Sequence, residues 1–144
     1  MDTLQFQVDV DHSRRLVRVS CDGMLKLKRA KEMVLAARAK ASTHGFPLIY
    51  DFRLLVLPTK VPLAIVATFP LLANLPQLSE SLRSAAIVAA DQNGHEVWES
   101  YRMASRRSSM HWNYFLSESE ALSWVQERNQ WDIRRSIAEL KFKS

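Results

Sequence analysis

At 144 residues with a single cysteine, the chain has the size of one domain and cannot form an internal disulfide or a cysteine-based zinc cluster. An apolar fraction of 47% against 24% charged residues excludes a disordered or fibrous chain and predicts one packed core. The formal charge of +5 belongs to residues 1–76, which hold 11 Lys/Arg against 6 Asp/Glu, while residues 77–144 hold 9 of each. A lysine-rich solvated face is the expected consequence, and specific nucleic-acid binding is not expected.

Leu4, Phe6, Val8 and Val10 alternate with polar neighbours, which is the two-residue period of a half-buried strand. Asp11-His12-Ser13-Arg14 supplies turn residues, and Val17, Val19 and Cys21 alternate again up to Asp22. An antiparallel hairpin is predicted, with Cys21 facing inward as a structural thiol. After Gly23, Leu27, Ala30, Val34, Ala37 and Ala41 recur at three- and four-residue steps, with Lys28, Lys31, Arg38 and Lys40 off the stripe. That pattern predicts an amphipathic helix ended by Gly45 in the left-handed conformation.

Phe46 to Phe52 reads as a buried parallel strand with Pro47 at its start. Thr59 and Pro62 suit the first turn of a helix reaching about Asn74 and interrupted near Pro70. Ser84 to Ala90 is a small-apolar central strand ending at Asp91, and Gln92-Asn93-Gly94 is a turn. Glu96 to Arg107 predicts a helix with Val97, Trp98, Tyr101 and Ala104 inward, and His111 to Leu116 a last strand. Ser117-Glu118-Ser119-Glu120 is a capping box opening a helix that carries Ala121, Leu122, Trp124 and Val125. Trp131 to Phe142 predicts a further helix.

The expected architecture is α/β: a mixed, mostly parallel five-stranded sheet with an N-terminal antiparallel hairpin and four to five helices. Residues 1–128 form the domain and 129–144 a C-terminal helical extension. The first residues lack the basic start and apolar block of a signal peptide, so a cytoplasmic location is expected. Val61 to Ser79 carries no charge but is broken by Pro62, Pro70 and Pro76, and reads as buried rather than membrane-spanning.

Three glycines leave no room for a phosphate-cradling loop, and the histidines at 12, 44, 95 and 111 have no metal-type spacing. No G-x-S-x-G elbow presents a nucleophile. Neither a cofactor nor a metal is expected. Ser105-Arg106-Arg107-Ser108-Ser109 and Arg134-Arg135-Ser136 have the look of basic phosphoacceptor strings, with an exposed helix end and tail as the simpler reading. The apolar stretch Val61 to Leu78 needs a cover, whether the sheet, a second copy of the chain or an apolar ligand.

Gly23, Tyr50-Asp51-Phe52-Arg53, Ala85-Ala86-Ile87-Val88 and the run from Phe115 to Val125 together resemble the SpoIIAA-like group of the STAS and CRAL-TRIO-like proteins. The resemblance implies no activity; apolar surface without catalytic groups predicts a non-catalytic module that binds another protein, as a homodimer, through the Asp51–Thr59 loop and the 61–78 helix. The binding residues expected there are Asp51, Arg53, Thr59, Leu63, Val66, Phe69 and Leu72. Anti-sigma factor antagonists of this fold carry a switchable serine after the third strand. The loop here offers only Thr59 and no Asp-Ser pair, so that switch is not carried over. The CRAL-TRIO side of the resemblance implies a small apolar ligand or lipid as the alternative.

Overall fold

The structure, a computed structural model, describes residues 3–57, 82–89, 95–107 and 111–127. The helices expected at 59–74 and 131–142 lie outside the described residues, as does the extension 129–144.

Strands β1 (Gln5–Asp11) and β2 (Leu16–Met24) form the expected hairpin, with Phe6 opposite Cys21, Val8 opposite Val19 and Val10 opposite Val17. Its turn is held by the Asp11 carboxylate, which accepts hydrogen bonds from Ser13 Oγ at 2.8 Å and Arg14 N at 3.0 Å. Arg15 absorbs the change of direction with φ at 55°.

Helix α1 (Leu27–His44) follows and ends as its sequence demands: Gly45 takes φ 67° and ψ 32°, and its N–H returns to the carbonyl of Ala41. Strand β3 (Leu48–Val56), β4 (Arg83–Ile87) and β5 (His111–Phe115) then add in parallel, giving the order β1-β2-β3-β4-β5. Between β4 and β5 lies α2 (His95–Arg107), and residues 118–127 form α3. The mixed five-stranded sheet is the expected one, with three helices among the described residues.

The helices divide between the two faces of the sheet. α1 and α2 cover the first face, where Met33, Val34, Ala37, Val97 and Trp98 meet Val17, Val19, Leu48, Tyr50, Phe52 and Trp112 in the larger core. Phe52 stacks on Trp98 at 5.4 Å between centroids. α3 covers part of the second face, where Ala121 and Val125 pack on Leu16, Ile49, Ala85 and Ile87. Its start follows from sequence: Ser117 Oγ accepts the N–H of Glu120, one half of the capping box. Arg83 pins it further, donating to the carbonyl of Trp124 at 2.8 Å with its guanidinium 4.6 Å from the Trp124 ring centroid.

Two expectations are overturned. Arg38, placed by periodicity off the buried stripe of α1, is only 2% exposed; its stem fills the core and its charge acts on the buried hydroxyls of Tyr50 and Tyr101. Ser105, read within an exposed phosphoacceptor string, is fully buried and donates to the carbonyl of Tyr101 at 2.8 Å. Position 105 lies one turn beyond Tyr101 on the inner face of α2, so the surrounding basic character says nothing of its access.

Candidate functional site

The site begins with an irregularity in β3. Ser20 pairs with Asp51, but Asp22 pairs with Leu54, so β3 has two residues, Phe52 and Arg53, where β2 has one. Side chains alternate strictly along a regular strand, and an extra residue reverses the alternation beyond it. Leu48, Tyr50 and Phe52 face the first core, and after the bulge Leu55 does so instead of Leu54. Leu55 is consequently 4% exposed and Leu54 is 71% exposed.

The same bulge folds Arg53 back over Asp51. Arg53 Nη2 donates to Asp51 Oδ2 at 2.7 Å, Nε to Oδ1 at 2.9 Å, and the Arg53 backbone N–H to Oδ1 at 3.2 Å. Arg18, on the neighbouring strand, reaches Asp51 Oδ2 at 3.4 Å with one nitrogen and pairs through the other with Glu118 at the start of α3. These bonds, those from Arg53 foremost, hold the Asp51 carboxyl below the usual carboxylate range despite its partial burial. The network ties β2, β3 and α3 together on the second face of the sheet.

Beside it the second face is polar. A hollow of about 250 Å³ is lined by Gln5, Phe6, Gln7, Ser20, Cys21, Asp22 and Leu54. Cys21 donates to the carbonyl of Asp51 at 3.3 Å, and burial, with Asp51 and Asp22 nearby, pushes its thiol up to about 12. Such a thiol is a packing group rather than a nucleophile. Each carboxylate of the network already has a guanidinium partner. The arrangement suits recognition: an apolar knob, Leu54, beside oriented charges.

On the first face, Leu25, Leu27, Ala30, Tyr50, Phe52, Leu55, Trp98 and Trp112 contribute to the lining of an apolar pocket of about 70 Å³. A cavity of roughly 150 Å³ is what admits benzene. The pocket is smaller than that, and the alternative of a lipid ligand finds no support in it. Among the described residues no group of three His, Cys, Asp or Glu could hold a metal ion, and no helix is long and apolar enough to cross a membrane.

Of the residues expected at the site, the structure brings Asp51 and Arg53 together, while Thr59, Leu63, Val66, Phe69 and Leu72 lie outside the described residues. Arg18 and Glu118 belong to the site and were not expected there; Leu54 falls within the expected Asp51–Thr59 loop, which is strand up to Val56, but was not singled out. Arg18 carries the one available signal: it is the polar residue between Val17 and Val19 on a strand both of whose neighbours are paired, so its side chain must meet something on the second face.

The geometry defines a mixed α/β fold with a charged cluster around Asp51 on the second face of the sheet. The chain is similar to the crystal structure of an anti-sigma factor antagonist from Mycobacterium paratuberculosis, with a TM-score of 0.55 and 15% identity over 85% of this chain and 94% of that one. It is also similar to an uncharacterized protein of the DUF3478 family with a SpoIIAA-like fold from Shewanella loihica PV-4, with a TM-score of 0.48 and 13% identity over 85% of this chain and 93% of that one. No family model matches the chain, and no curated protein matches it in sequence. At such identity the likeness is one of fold.

Proposed function

We propose that this chain is a non-catalytic regulatory module that binds another protein through the second face of the sheet at the end of β3. The observation that carries the reading is the bulge at Phe52–Arg53, which turns Leu54 out to 71% exposure beside the Arg53–Asp51–Arg18–Glu118 network. Burying a leucine is worth about 1.5–3 kcal/mol, and here an irregularity in a parallel strand leaves that gain unused in the isolated chain. Bulges of this kind aim side chains at functional sites. The fold of an anti-sigma factor antagonist supports a regulatory role, since that protein's name states one.

The same reading includes Thr59 and the apolar residues Leu63, Val66, Phe69 and Leu72 as the continuation of the surface, with self-association through the 61–78 stretch in the cytoplasm. This part rests on the sequence alone. Light scattering of a Leu72→Asp variant tests it: a folded monomer replacing a wild-type dimer supports it, and an unchanged mass refutes it.

The main test is site-specific photocrosslinking in cells of the source organism. A photoreactive side chain at position 54 is expected to give a discrete protein adduct that Arg53→Glu removes. Position 13, exposed in the hairpin turn at the opposite end of the sheet, serves as the comparison. A crosslinking pattern at 54 no different from that at 13 would overturn the proposal.

A further inference from the structure

The amino-terminal half of α1 is electrostatically unfavourable as it stands. A helix amino terminus carries a positive partial charge that favours acidic neighbours. α1 has no acidic residue in its first turn and no side-chain cap, and it begins Lys26-Leu27-Lys28-Arg29-Ala30-Lys31. Arg29 is committed locally: it donates to the carbonyl of Leu4 at 3.2 Å, lies over the Phe6 ring and pairs with Glu32. Lys26, Lys28 and Lys31 form no ion pair among the described residues. Three uncompensated lysines therefore surround the positive end of a helix.

Leucines stand among them. Leu27 is 48% exposed and Leu35 49% exposed. At about 100° per residue, Leu27, Lys28, Lys31 and Leu35 share an arc of roughly 100° that runs from the rim of the first-face pocket, which Leu27 also lines, to the side of α1 away from the sheet, with the two leucines ~12 Å apart along the axis. Ala39 and Ser42, both small and exposed, continue that side toward the carboxyl end without bulk. The opposite side, with Ala30, Met33, Val34, Ala37 and Ala41, is already spent on the core.

We infer that the outer face of α1 is a second docking surface, separate from the end of β3, and that it takes an acidic amphipathic helix of a partner protein. Charge complementarity names the partner's sign: carboxylates would neutralise Lys26, Lys28 and Lys31 together with the helix terminus. The leucines name its second character, since aliphatic side chains on the incoming helix can cover Leu27 and Leu35 and lie close along Ala39 and Ser42. Nucleic acid is disfavoured because the exposed apolar groups are aliphatic and offer no ring for base stacking. A membrane surface is disfavoured because the broad apolar face of α1 is buried in the domain and cannot enter lipid.

Fluorescence anisotropy with the whole chain tests this. The probe is a labelled helical peptide of about 15 residues, with leucines on one side flanked by glutamates, and its counterpart with every Glu replaced by Gln. Binding of the acidic peptide is expected to weaken roughly tenfold or more in the combined Lys26→Glu, Lys28→Glu, Lys31→Glu variant and about threefold in Leu35→Ser. Raising the salt concentration should weaken it as well. Circular dichroism confirms that the variants remain folded. The inference is overturned if the acidic peptide fails to bind, if the glutamine peptide binds equally well, or if the lysine reversals leave its affinity unchanged. It is equally overturned if single-stranded RNA or anionic phosphatidylglycerol vesicles bind this face and the acidic peptide does not. Crosslinking at position 54 is untouched by any of these results, so the two surfaces stand or fall separately.

Discussion

Replacing Asp51 with asparagine isolates the charge at the centre of the candidate site, because asparagine keeps the shape and one acceptor oxygen. The carboxylate accepts three bonds from Arg53, at 2.7, 2.9 and 3.2 Å, and one from Arg18 at 3.4 Å. In a dry interior, hydrogen bonds to charged groups contribute about 1.5–3 kcal/mol each, while exposed ion pairs contribute about 0.2–1 kcal/mol. Asp51 is 18% exposed but Arg53 is 46% exposed, so the interaction belongs near the exposed end of that range. A total loss of about 1–1.5 kcal/mol is expected at neutral pH, or roughly 3–5 °C in Tm for a domain of this size.

The pH dependence supplies the sharper criterion. The Asp51 carboxyl is held below its ordinary value of 3.8 in the folded chain, so the folded state binds fewer protons than the unfolded one as pH falls. Its stabilisation is complete above about pH 5 and is lost as pH drops through the folded value. The substituted asparagine cannot titrate. Urea denaturation followed by fluorescence of the four tryptophans should therefore show a gap between wild type and Asp51→Asn that is constant above about pH 5 and narrows as pH falls below the ordinary carboxylate range. A gap that stays constant into acid, or no gap at neutral pH, would refute the reasoning.

Other perturbations address the fold. Gly45→Ala meets no atom within 4 Å of its new Cβ, so only the left-handed φ of 67° opposes it; a net loss of about 0.5–1 kcal/mol in urea denaturation is expected, smaller for Gly45→Asn. Ser105→Glu forces a carboxylate into a fully buried position beside the Tyr101 carbonyl and should abolish cooperative thermal unfolding, whereas Ser105→Ala should cost about 1 kcal/mol. Cys21, with its thiol pushed up to about 12, should resist a thiol-specific disulfide reagent at neutral pH and react promptly in denaturant. Rapid labelling of the native chain would contradict that burial.

Local rules carried far in this chain. The alternation in β1 and β2, the apolar stripe of α1, the Gly45 cap and the Ser117 capping bond all appear where short-range pattern places them, because each depends on residues within a turn or two. Arg38 escaped the same reasoning because a long arginine can bury its stem and charge at the margin of an apolar stripe when aromatic neighbours accommodate it. Ser105 escaped because motif reading attends to its neighbours in sequence, while its burial follows from the side of α2 that it occupies. Leu54 escaped for a different reason: Leu54 and Leu55 are chemically identical, and nothing in the run Leu54-Leu55-Val56 marks which of them faces the core.

Composition, periodicity and end-capping chemistry by themselves determined a mixed α/β sheet led by a hairpin, since those signals are local and each strand or helix advertises its own period. Only the tertiary structure decided the surface proposed for binding. The register between β2 and β3 introduces the bulge at Phe52–Arg53, and that single extra residue turns Leu54 outward and folds Arg53 onto Asp51. Register is a relation between strands about thirty residues apart in the chain, set by which pairing buries the most apolar surface, and no residue carries it alone.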